Sequence, residues 1–338
     1  MPQASQPQCP KCHSEIVVKK GIRKNKLQIL QQYQCKECNY IFTKNPSKNT
    51  TYPIKIILNA ISSYNLGRTL QETKEKINLE ATLPTISSWL DKYKDMLTYA
   101  RLRKHAIKLY KPNNIIHKQA LSHIQPYTFK YHKAKLNLLL KENPQFAALK
   151  DYIEKISAKD FPHHIFTYNK ESSQNNEQRA SQLKFNHLKI SHIKKQNQAN
   201  QLAKLAINLA TTNKERHQAI QNFMLINDST TIAVEIPVYL TNWDAGYYRN
   251  QKGFIFPLSN YKTPITGHID ILQIRNGLIH ILDYKPEADK TQPIEQLTIY
   301  ALALSRKLNL PLYYFKCAWF DEGNYFEFFP LHAVYEKQ

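Results

Sequence analysis

The sequence predicts a multidomain α/β protein: a cysteine module, a small helical unit, a helical connector and a C-terminal α/β core with a mixed sheet. Four of the five cysteines lie in the first 38 residues. Apolar residues then recur at helical spacing, and β-branched and aromatic residues in alternating patterns dominate after residue 230. The predicted boundaries are 1–45, 51–98, 99–211 and 212–338.

Length and composition exclude several classes of protein. A chain of 338 residues is too long for one ordinary domain. No apolar run approaches the ~18–20 residues of a membrane span, so we expect no membrane partner. The first residues lack the apolar segment of a secretory signal, which favours a cytoplasmic protein, nucleoid-associated in a prokaryote. Seven glycines leave little room for dinucleotide-binding loops.

The positive charge is concentrated in the first two-thirds of the chain. The formal net charge is +21, yet residues 216–338 hold 11 basic and 12 acidic side chains. The preceding residues therefore carry the whole excess. Such an asymmetry indicates a polyanionic partner, most simply nucleic acid, and the alternative is a solubilising surface.

The cysteine module predicts a metal site. Cys9-Pro-Lys-Cys12 and Cys35-Lys-Glu-Cys38 are separated by 22 residues. Two such pairs on tight turns suit a tetrahedral Zn²⁺ site, and four thiolates leave no position open for water, so the zinc is structural. His13 is a possible competing ligand. The alternatives are two chance pairs or a redox dithiol.

Three short helices are predicted between residues 53 and 93. The first ends near Gly67, and the second begins with a capping box formed by Thr69 and Glu72. Pro84 opens the third helix. Its buried side is expected to carry Ile86, Trp89, Leu90 and Tyr93.

The N-terminal segments resemble known DNA-binding modules. The string from Gln34 to Thr43 resembles the zinc ribbon of insertion-sequence transposases, and residues 63–73 and 84–90 resemble the helix-turn-helix that follows it. The resemblance implies that the third helix contacts DNA, with Arg68 near the backbone. The implied contacts are Thr85, Ser87, Ser88 and Lys92. The basic run with Arg101, Arg103 and Lys104 could extend the phosphate contacts, and the alternative is a solvated helix face. The alternative is a three-helix bundle that binds a protein.

A second candidate site lies in a predicted β-hairpin. Asn276-Gly277 between two apolar runs predicts a type I′ turn. In that register Asp270 stands opposite Asp283, and His268 opposite Lys285. These residues are expected to share one face with Leu272, Ile274, Ile279 and Ile281.

Two facing carboxylates repel each other and are costly to desolvate. A divalent cation relieves both penalties, and oxygen ligands select Mg²⁺ or Mn²⁺. Lys285 could then hold an attacking water or neutralise developing charge. The pattern therefore predicts a Mg²⁺ or Mn²⁺ site.

Here the sequence resembles the PD-(D/E)XK nuclease superfamily, over roughly residues 212–332. Gly267-His-Ile-Asp270, Asp283-Tyr-Lys285 and Gln296-Leu-Thr-Ile-Tyr300 match its motifs in order, and the last marks the RecB-like branch. The resemblance implies a restriction-endonuclease-like core. It also implies a metal held by Asp270, Asp283 and the carbonyl of Tyr284. The implied catalytic set is Asp270, Asp283, Lys285, Gln296 and Tyr300.

Four further features accompany that resemblance. Glu235 either helps the metal or lines its strand. His217 lies where this branch often has a metal-binding histidine, although a lone histidine is more often ordinary surface or core. Cys317 is the one cysteine after residue 38, so we expect no iron–sulfur cluster and a buried thiol. Residues 243–249 are expected in a loop.

The sequence therefore predicts a DNA-binding, metal-dependent deoxyribonuclease of a mobile element, virus or defence system. One alternative is a non-catalytic DNA-binding regulator or transposase-associated protein that uses the nuclease fold as a scaffold. Another is a transposase proper. That would need an acidic triad for strand transfer, and residues 99–225 offer no obvious one.

Overall fold

A computed structural model describes most of the chain, as two β-sheets with helices around the larger one. The described residues are 7–25, 27–43, 52–78, 80–95, 100–123, 125–156, 178–185, 192–255 and 264–335. Secondary structure follows the predicted order at the N-terminus and in the C-terminal core. It departs from the prediction in the segment between them.

The N-terminal module is a small antiparallel sheet. Strands β1 (Val17–Asn25), β2 (Gln28–Cys35) and β3 (Ile41–Thr43) lie in that order. Ile22 and Ile29 remain more than half exposed, so the sheet has little apolar core of its own. A metal at the cysteines would supply the stabilisation that its packing lacks.

Three helices follow as predicted: α1 (Ile54–Asn65), α2 (Leu70–Lys76) and α3 (Leu83–Tyr93). The capping box of Thr69 and Glu72 is formed, and Thr82 caps α3 just before Pro84. Ile86, Trp89 and Tyr93 are buried, while Leu90 is half-buried. Local capping signals therefore fixed these helix starts correctly.

The rest of the described chain forms a larger mixed sheet and the helices around it, an α/β core. Its elements are α4 (Ala100–Leu109), β4 (Ile116–His123), β5 (Gln125–His132), α5 (Lys133–Glu142), α6 (Ala147–Lys155), β6 (Gln178–Arg179), β7 (Ile193–Lys194), α7 (Gln198–Ala206), α8 (Arg216–Asn227), β8 (Thr231–Leu240), α9 (Asn242–Lys252), β9 (Ile265–Arg275), β10 (Leu278–Tyr284), α10 (Ile294–Leu308), β11 (Phe315–Phe320), β12 (Tyr325–Phe328) and α11 (Leu331–Val334).

Eight strands of the larger sheet lie in the order β4-β5-β8-β9-β10-β11-β12-β7, and β6 pairs with β9 beside this path. β10 and β11 are parallel, and the other neighbours on the path are antiparallel.

The helical prediction for residues 99–211 is wrong for β4 and β5. This hairpin pairs with β8 through Lys130 and Val234, so it extends the sheet of the C-terminal core. β4 lies at the end of the strand path, where one backbone edge has no strand partner among the described residues. Polar residues are tolerated at such an edge, which hides the strand signal. Residues 243–249, expected in a loop, lie within α9.

Helices cover both faces of the large sheet. α10 packs with α5 and α6 on the face that carries Leu272, Ile274, Ile279 and Ile281, and these four residues lie in one buried cluster as predicted. On the other face, α7 and α8 share a core with α1 and α3. Asn65 of α1 donates a 2.8 Å hydrogen bond to Asn227 of α8. The three-helix unit is therefore docked on the core.

A buried lysine fixes the C-terminal end of α8. Lys135 of α5 is fully buried, and its Nζ donates to the carbonyls of Leu225, at 2.6 Å, and Asp228. A cation at these carbonyls complements the helix dipole. Burial nevertheless lowers the pKa of Lys135 from 10.5 to about 7, although the nearby Asp228 carboxylate opposes the shift.

We expect this lysine to make stability depend on pH. Between pH 7 and 10.5 the unfolded chain holds the proton that folded Lys135 has lost, so the free energy of unfolding rises with pH. The contribution reaches up to about 5 kcal/mol, at roughly 1.4 kcal/mol per pKa unit. Urea unfolding of wild type and Lys135→Met at several pH values measures it. Parallel curves for the two proteins would contradict the assignment.

Candidate metal centres and active site

The four N-terminal cysteines form a compact cluster. Their sulfurs lie within 4.8 Å of one another, and all four are free thiols. The Sγ–Sγ distances are 3.5 Å for Cys9 with Cys38 and 3.5 Å for Cys12 with Cys35. Tetrahedral Zn²⁺ with Zn–S bonds of ~2.3 Å requires sulfurs ~3.8 Å apart. The donor set therefore fits a structural zinc ion.

Each cysteine pair sits on a turn that directs backbone N–H groups at its first sulfur. Hydrogen bonds from the N–H groups of Cys38 and Glu37 lower the pKa of Cys35 to about 7. Burial opposes ionisation of Cys9, but two equivalent N–H groups still lower the pKa of its thiol. Residues His13 and Asn39, which follow the pairs, have φ of 60° and 58°. His13 is exposed and lies outside the four-sulfur group.

The second site begins with the hairpin register, which is the predicted one. Asn276 and Gly277 both have positive φ, as a type I′ turn requires. Paired residues run from Arg275 with Leu278 to Ile271 with Leu282. Asp270 and Asp283 occupy the next opposed positions, just beyond the last pair. The predicted pairing of His268 with Lys285 is not formed, because the ladder ends before it.

Three potential ligands converge at this point. Carboxylate oxygens of Asp270 and Asp283 and a ring nitrogen of His217 lie within 4.8 Å of one another. Asp283 is only 2% exposed. Burial, the Asp283 carboxylate and the Glu235 carboxylate together raise the pKa of Asp270 well above its ordinary value. A divalent cation would relieve this crowding, so the group fits a metal ion.

Lys285 stands beside the carboxylates. Its Nζ is 2.8 Å from Oδ2 of Asp283, and its side chain is 29% exposed. Burial disfavours the ammonium, but the Asp283 and Asp270 carboxylates outweigh that effect and raise the pKa of Lys285. The backbone N–H of Lys285 donates to the carbonyl of Phe320 at 2.9 Å, which anchors the lysine beside β11. The structure thus holds a cation at the rim of the site.

Steric contact with Tyr300 explains why residue 267 is glycine. A Cβ atom on Gly267 would lie 2.4 Å from Cε1 of Tyr300, so the tyrosine ring occupies the space of the missing side chain. Gln296 donates a 3.0 Å hydrogen bond to the Tyr300 hydroxyl, so both residues lie on one face of α10. Burial and the two aspartates raise the pKa of Tyr300. Glycine at position 267 therefore gives the Tyr300 ring its place against β9, a packing role that the motif in the sequence did not reveal.

α8 brings two side chains to the site from the other face of the sheet. The half-buried ring of His217, in its first turn, meets the Tyr284 ring edge-on at 4.9 Å. Gln221, one turn later, donates to Glu235 at 2.7 Å. Tyr284 itself is fully buried and donates to Glu322, while its carbonyl as a metal ligand stays a prediction.

Glu235 lies beside Asp270 on the neighbouring strand, between two successive ladder pairs. Its φ is 55°, a conformation that costs a non-glycine residue on the order of 1 kcal/mol or more. His268 Nδ1 is 3.5 Å from its Oε2. Glu235 remains outside the group of three converging ligands. In this structure it is held by Gln221 and His268 next to the three candidate metal ligands.

The sequence-based prediction did not include β5, which places Tyr127 and Lys130 near the candidate site. Tyr127 stacks on His268 with ring centroids 3.8 Å apart, and Lys130 donates to Asn222 of α8 at 2.7 Å. Burial raises the pKa of Tyr127, and Glu235 adds to the shift. The alternation of Tyr127, Phe129 and Tyr131 is a strand signal that could have revealed this element.

The residues predicted to contact DNA are not all at the surface. Ser88, Lys92 and Lys104 are exposed, and Thr85 and Ser87 are half-buried. The side chain of Arg101 lies outside the described part of the structure.

Two arginines of this set serve the protein's own packing, contrary to the expectation. Arg68 is only 8% exposed and donates to Asn113 at 2.6 Å. Arg103 stacks on the Tyr64 ring at 3.9 Å and donates to its carbonyl at 2.9 Å. The same Tyr64 carbonyl, at the end of α1, also accepts a 2.9 Å hydrogen bond from the backbone N–H of Gly67. Both positions depend on contacts distant in sequence, which helix periodicity cannot show.

Cys317 is fully buried and donates to the Leu297 carbonyl, as expected for an apolar packing residue. Among the residues that the structure describes, no helix combines the length and apolar character needed to cross a membrane. Comparison with protein-family models, curated proteins and solved structures finds no match to this chain. Its function must therefore be argued from the two sites themselves.

We expect the purified protein to hold one Zn²⁺ per chain, and Cys35→Ser to lose it. Structural zinc supplies about 10–16 kcal/mol of apparent binding free energy in small zinc-folded peptides, so metal loss should unfold β1–β3. Elemental analysis and amide hydrogen exchange measure both effects, and His13→Ala should retain the metal. Full amide protection in a metal-free chain would refute this expectation.

We expect Gly267→Ala to destabilise the core by about 1–3 kcal/mol, because the added methyl group displaces the buried Tyr300 ring. Gly246→Ala is the matched control. Its Cβ would meet nothing within 4 Å, and alanine within a helix gains up to about 1 kcal/mol. Denaturant unfolding compares the two variants, and equal stabilities would show that Tyr300 yields without cost.

Proposed function

We propose that the protein is a DNA-binding nuclease that depends on a divalent metal ion and hydrolyses DNA phosphodiester bonds. One observation carries this proposal: Asp270, Asp283 and His217 converge within 4.8 Å, with Lys285 at 2.8 Å from Asp283. A carboxyl group with a strongly raised pKa, as at Asp270, next to a second carboxylate and a lysine is typical of catalytic centres.

The residues present fit Mg²⁺ or Mn²⁺. Asp270, Asp283 and His217 would hold the ion, and a bound ion would activate water and stabilise charge on the phosphate. Lys285 would orient the attacking water and offset negative charge that develops on the phosphate. Gln296 and Tyr300, linked by their 3.0 Å hydrogen bond, would orient the substrate strand beside the carboxylates.

The remainder of the chain supports DNA as the substrate. The first 215 residues carry the whole positive excess, whereas residues 216–338 are nearly neutral. A basic segment next to a neutral catalytic core suits a polyanion that must be bound before it is cut. Ser88, Lys92 and Lys104 remain exposed for such contacts. The resemblance of the N-terminal segments to transposase modules makes a mobile element, virus or defence system the setting we propose.

We expect the wild-type protein to cleave labelled linear, circular or single-stranded DNA when Mg²⁺ or Mn²⁺ is present. Asp283→Ala removes a metal ligand, and Lys285→Ala removes the cation at the scissile phosphate. Each variant should lose about 100-fold or more in rate, the scale seen when one electrostatic stabiliser is deleted. Gel assays on the three substrates measure the rates and the pattern of products.

The matched controls are Asp289→Ala and Lys290→Ala, which replace exposed residues of the same types a few positions away. Both should cleave like wild type. If the wild-type protein binds DNA but cuts none of the substrates with either ion, the nuclease proposal fails. A non-catalytic DNA-binding regulator is then the better description.

A further inference from the structure

A patch of aromatic side chains lies on and beside a cavity at the end of α10 away from Gln296. The cavity, of about 210 Å³, is lined by side chains from α9, α10 and the residues that follow α10. The name aromatic patch is used here for three aromatic residues and three adjacent cations: Trp243, Tyr247, Tyr313, Lys252, Arg306 and Lys307. Trp243 is 90% exposed and Tyr313 is 55% exposed. Side chains this exposed contribute little to the free energy of folding. Packing within the protein therefore does not account for the presence of these aromatic residues at the surface.

Positive charges are built into the aromatic patch. The Arg306 guanidinium lies 4.3 Å from the centroid of the Tyr247 ring, and Lys252 Nζ lies 5.6 Å from the same ring. The acidic neighbour is Asp244, 3.3 Å from Nε of Arg306. Lys307 adds a further cation, 3.7 Å from the Tyr239 ring. Basic groups thus outnumber the carboxylate, which favours a polyanionic ligand.

Two elements connect the aromatic patch with the proposed active site. On α10, Lys307 follows Tyr300 by seven residues, which places it on the same helix face about 10 Å farther along. On β8, Tyr239 follows Glu235 by four residues, a distance of about 13 Å along the strand. Lys307 and Tyr239 therefore lie about 10 and 13 Å beyond the proposed active site, along elements that reach both places.

We propose that the aromatic patch binds single-stranded DNA. Its bases would stack on Trp243, Tyr247 and Tyr313, while Lys252, Arg306 and Lys307 contact phosphates. Exposed aromatic faces combined with basic groups bind unpaired strands, because the bases of a duplex are stacked on each other and offer no free face. The inference deepens the proposed function and rests on it only for the origin of the strand, which would leave the carboxylate site along α10.

Tryptophan fluorescence provides a local readout. The chain has three tryptophans, and Trp89 and Trp319 are buried at 4% and 1% exposure. Only Trp243 can stack on a ligand in solution. The test uses the full chain with Asp283→Ala and with no added Mg²⁺ or Mn²⁺, so that no DNA is cut and the zinc expected at the four cysteines stays bound. We expect oligo(dT) of 12 nucleotides to quench Trp243 saturably, and a 12-base-pair duplex to leave it unchanged.

Variants within the aromatic patch should weaken the quenching. Tyr247→Ala and Arg306→Ala should raise the Kd for oligo(dT) by about 5- to 150-fold, as removal of one stacking contact does elsewhere. Lys290→Ala, an exposed lysine outside the patch, should leave the Kd unchanged. Trp243→Phe should remove the signal itself, which verifies the reporter.

Two outcomes would overturn the inference. Unquenched Trp243 at saturating oligo(dT), while acrylamide still reaches it, excludes single-stranded DNA from the patch. Fluorescence that shifts with protein concentration and not with DNA would assign the patch to contact between two copies of the chain. A wild-type protein that quenches with oligo(dT) but cuts no DNA would leave this site intact and refute only the nuclease proposal.

Discussion

The C-terminal core depends on two carboxylates that face each other where a hydrogen-bonded ladder ends. The type I′ turn at Asn276 and Gly277 sets the register, and the register brings Asp270 to the position across from Asp283. A register shift of one residue between the two strands would place the Asp270 and Asp283 side chains on opposite faces of the sheet. Burial and the repulsion between the two carboxylates raise the pKa of Asp270, and a bound cation would relieve both effects.

Three neighbouring residues shape the surroundings of these carboxylates. Gly267 leaves space for the Tyr300 ring, Gln221 holds Glu235, and Lys285 supplies a permanent positive charge. The cysteine module shows the same logic on a smaller scale, since backbone N–H groups favour ionised sulfur at Cys9 and Cys35. A metal ion would complete both sites: it would bind the thiolates that the backbone favours, and it would relieve the repulsion between the two aspartates.

α8 links the helical unit with the proposed active site. His217 lies in its first turn, and Asn227, at its last residue, bonds to Asn65 of α1. Ten residues of helix separate these ends by about 15 Å. A unit that resembles a DNA-binding module is thus packed on the helix that carries a candidate metal ligand. If the proposed function holds, such packing would fix the position of a bound DNA relative to the proposed active site.

Local chemistry in the sequence determined the cysteine cluster, the capped helices, the hairpin register and the pairing of Asp270 with Asp283. Each follows from residues close together in the chain, whose spacing limits their geometry. Only the tertiary structure decided that β4 and β5 join the sheet, that Glu235 takes a positive φ, and that Arg68 is buried. These outcomes depend on partners far away in sequence: β8 lies about one hundred residues beyond β5, and Asn113 lies 45 residues beyond Arg68.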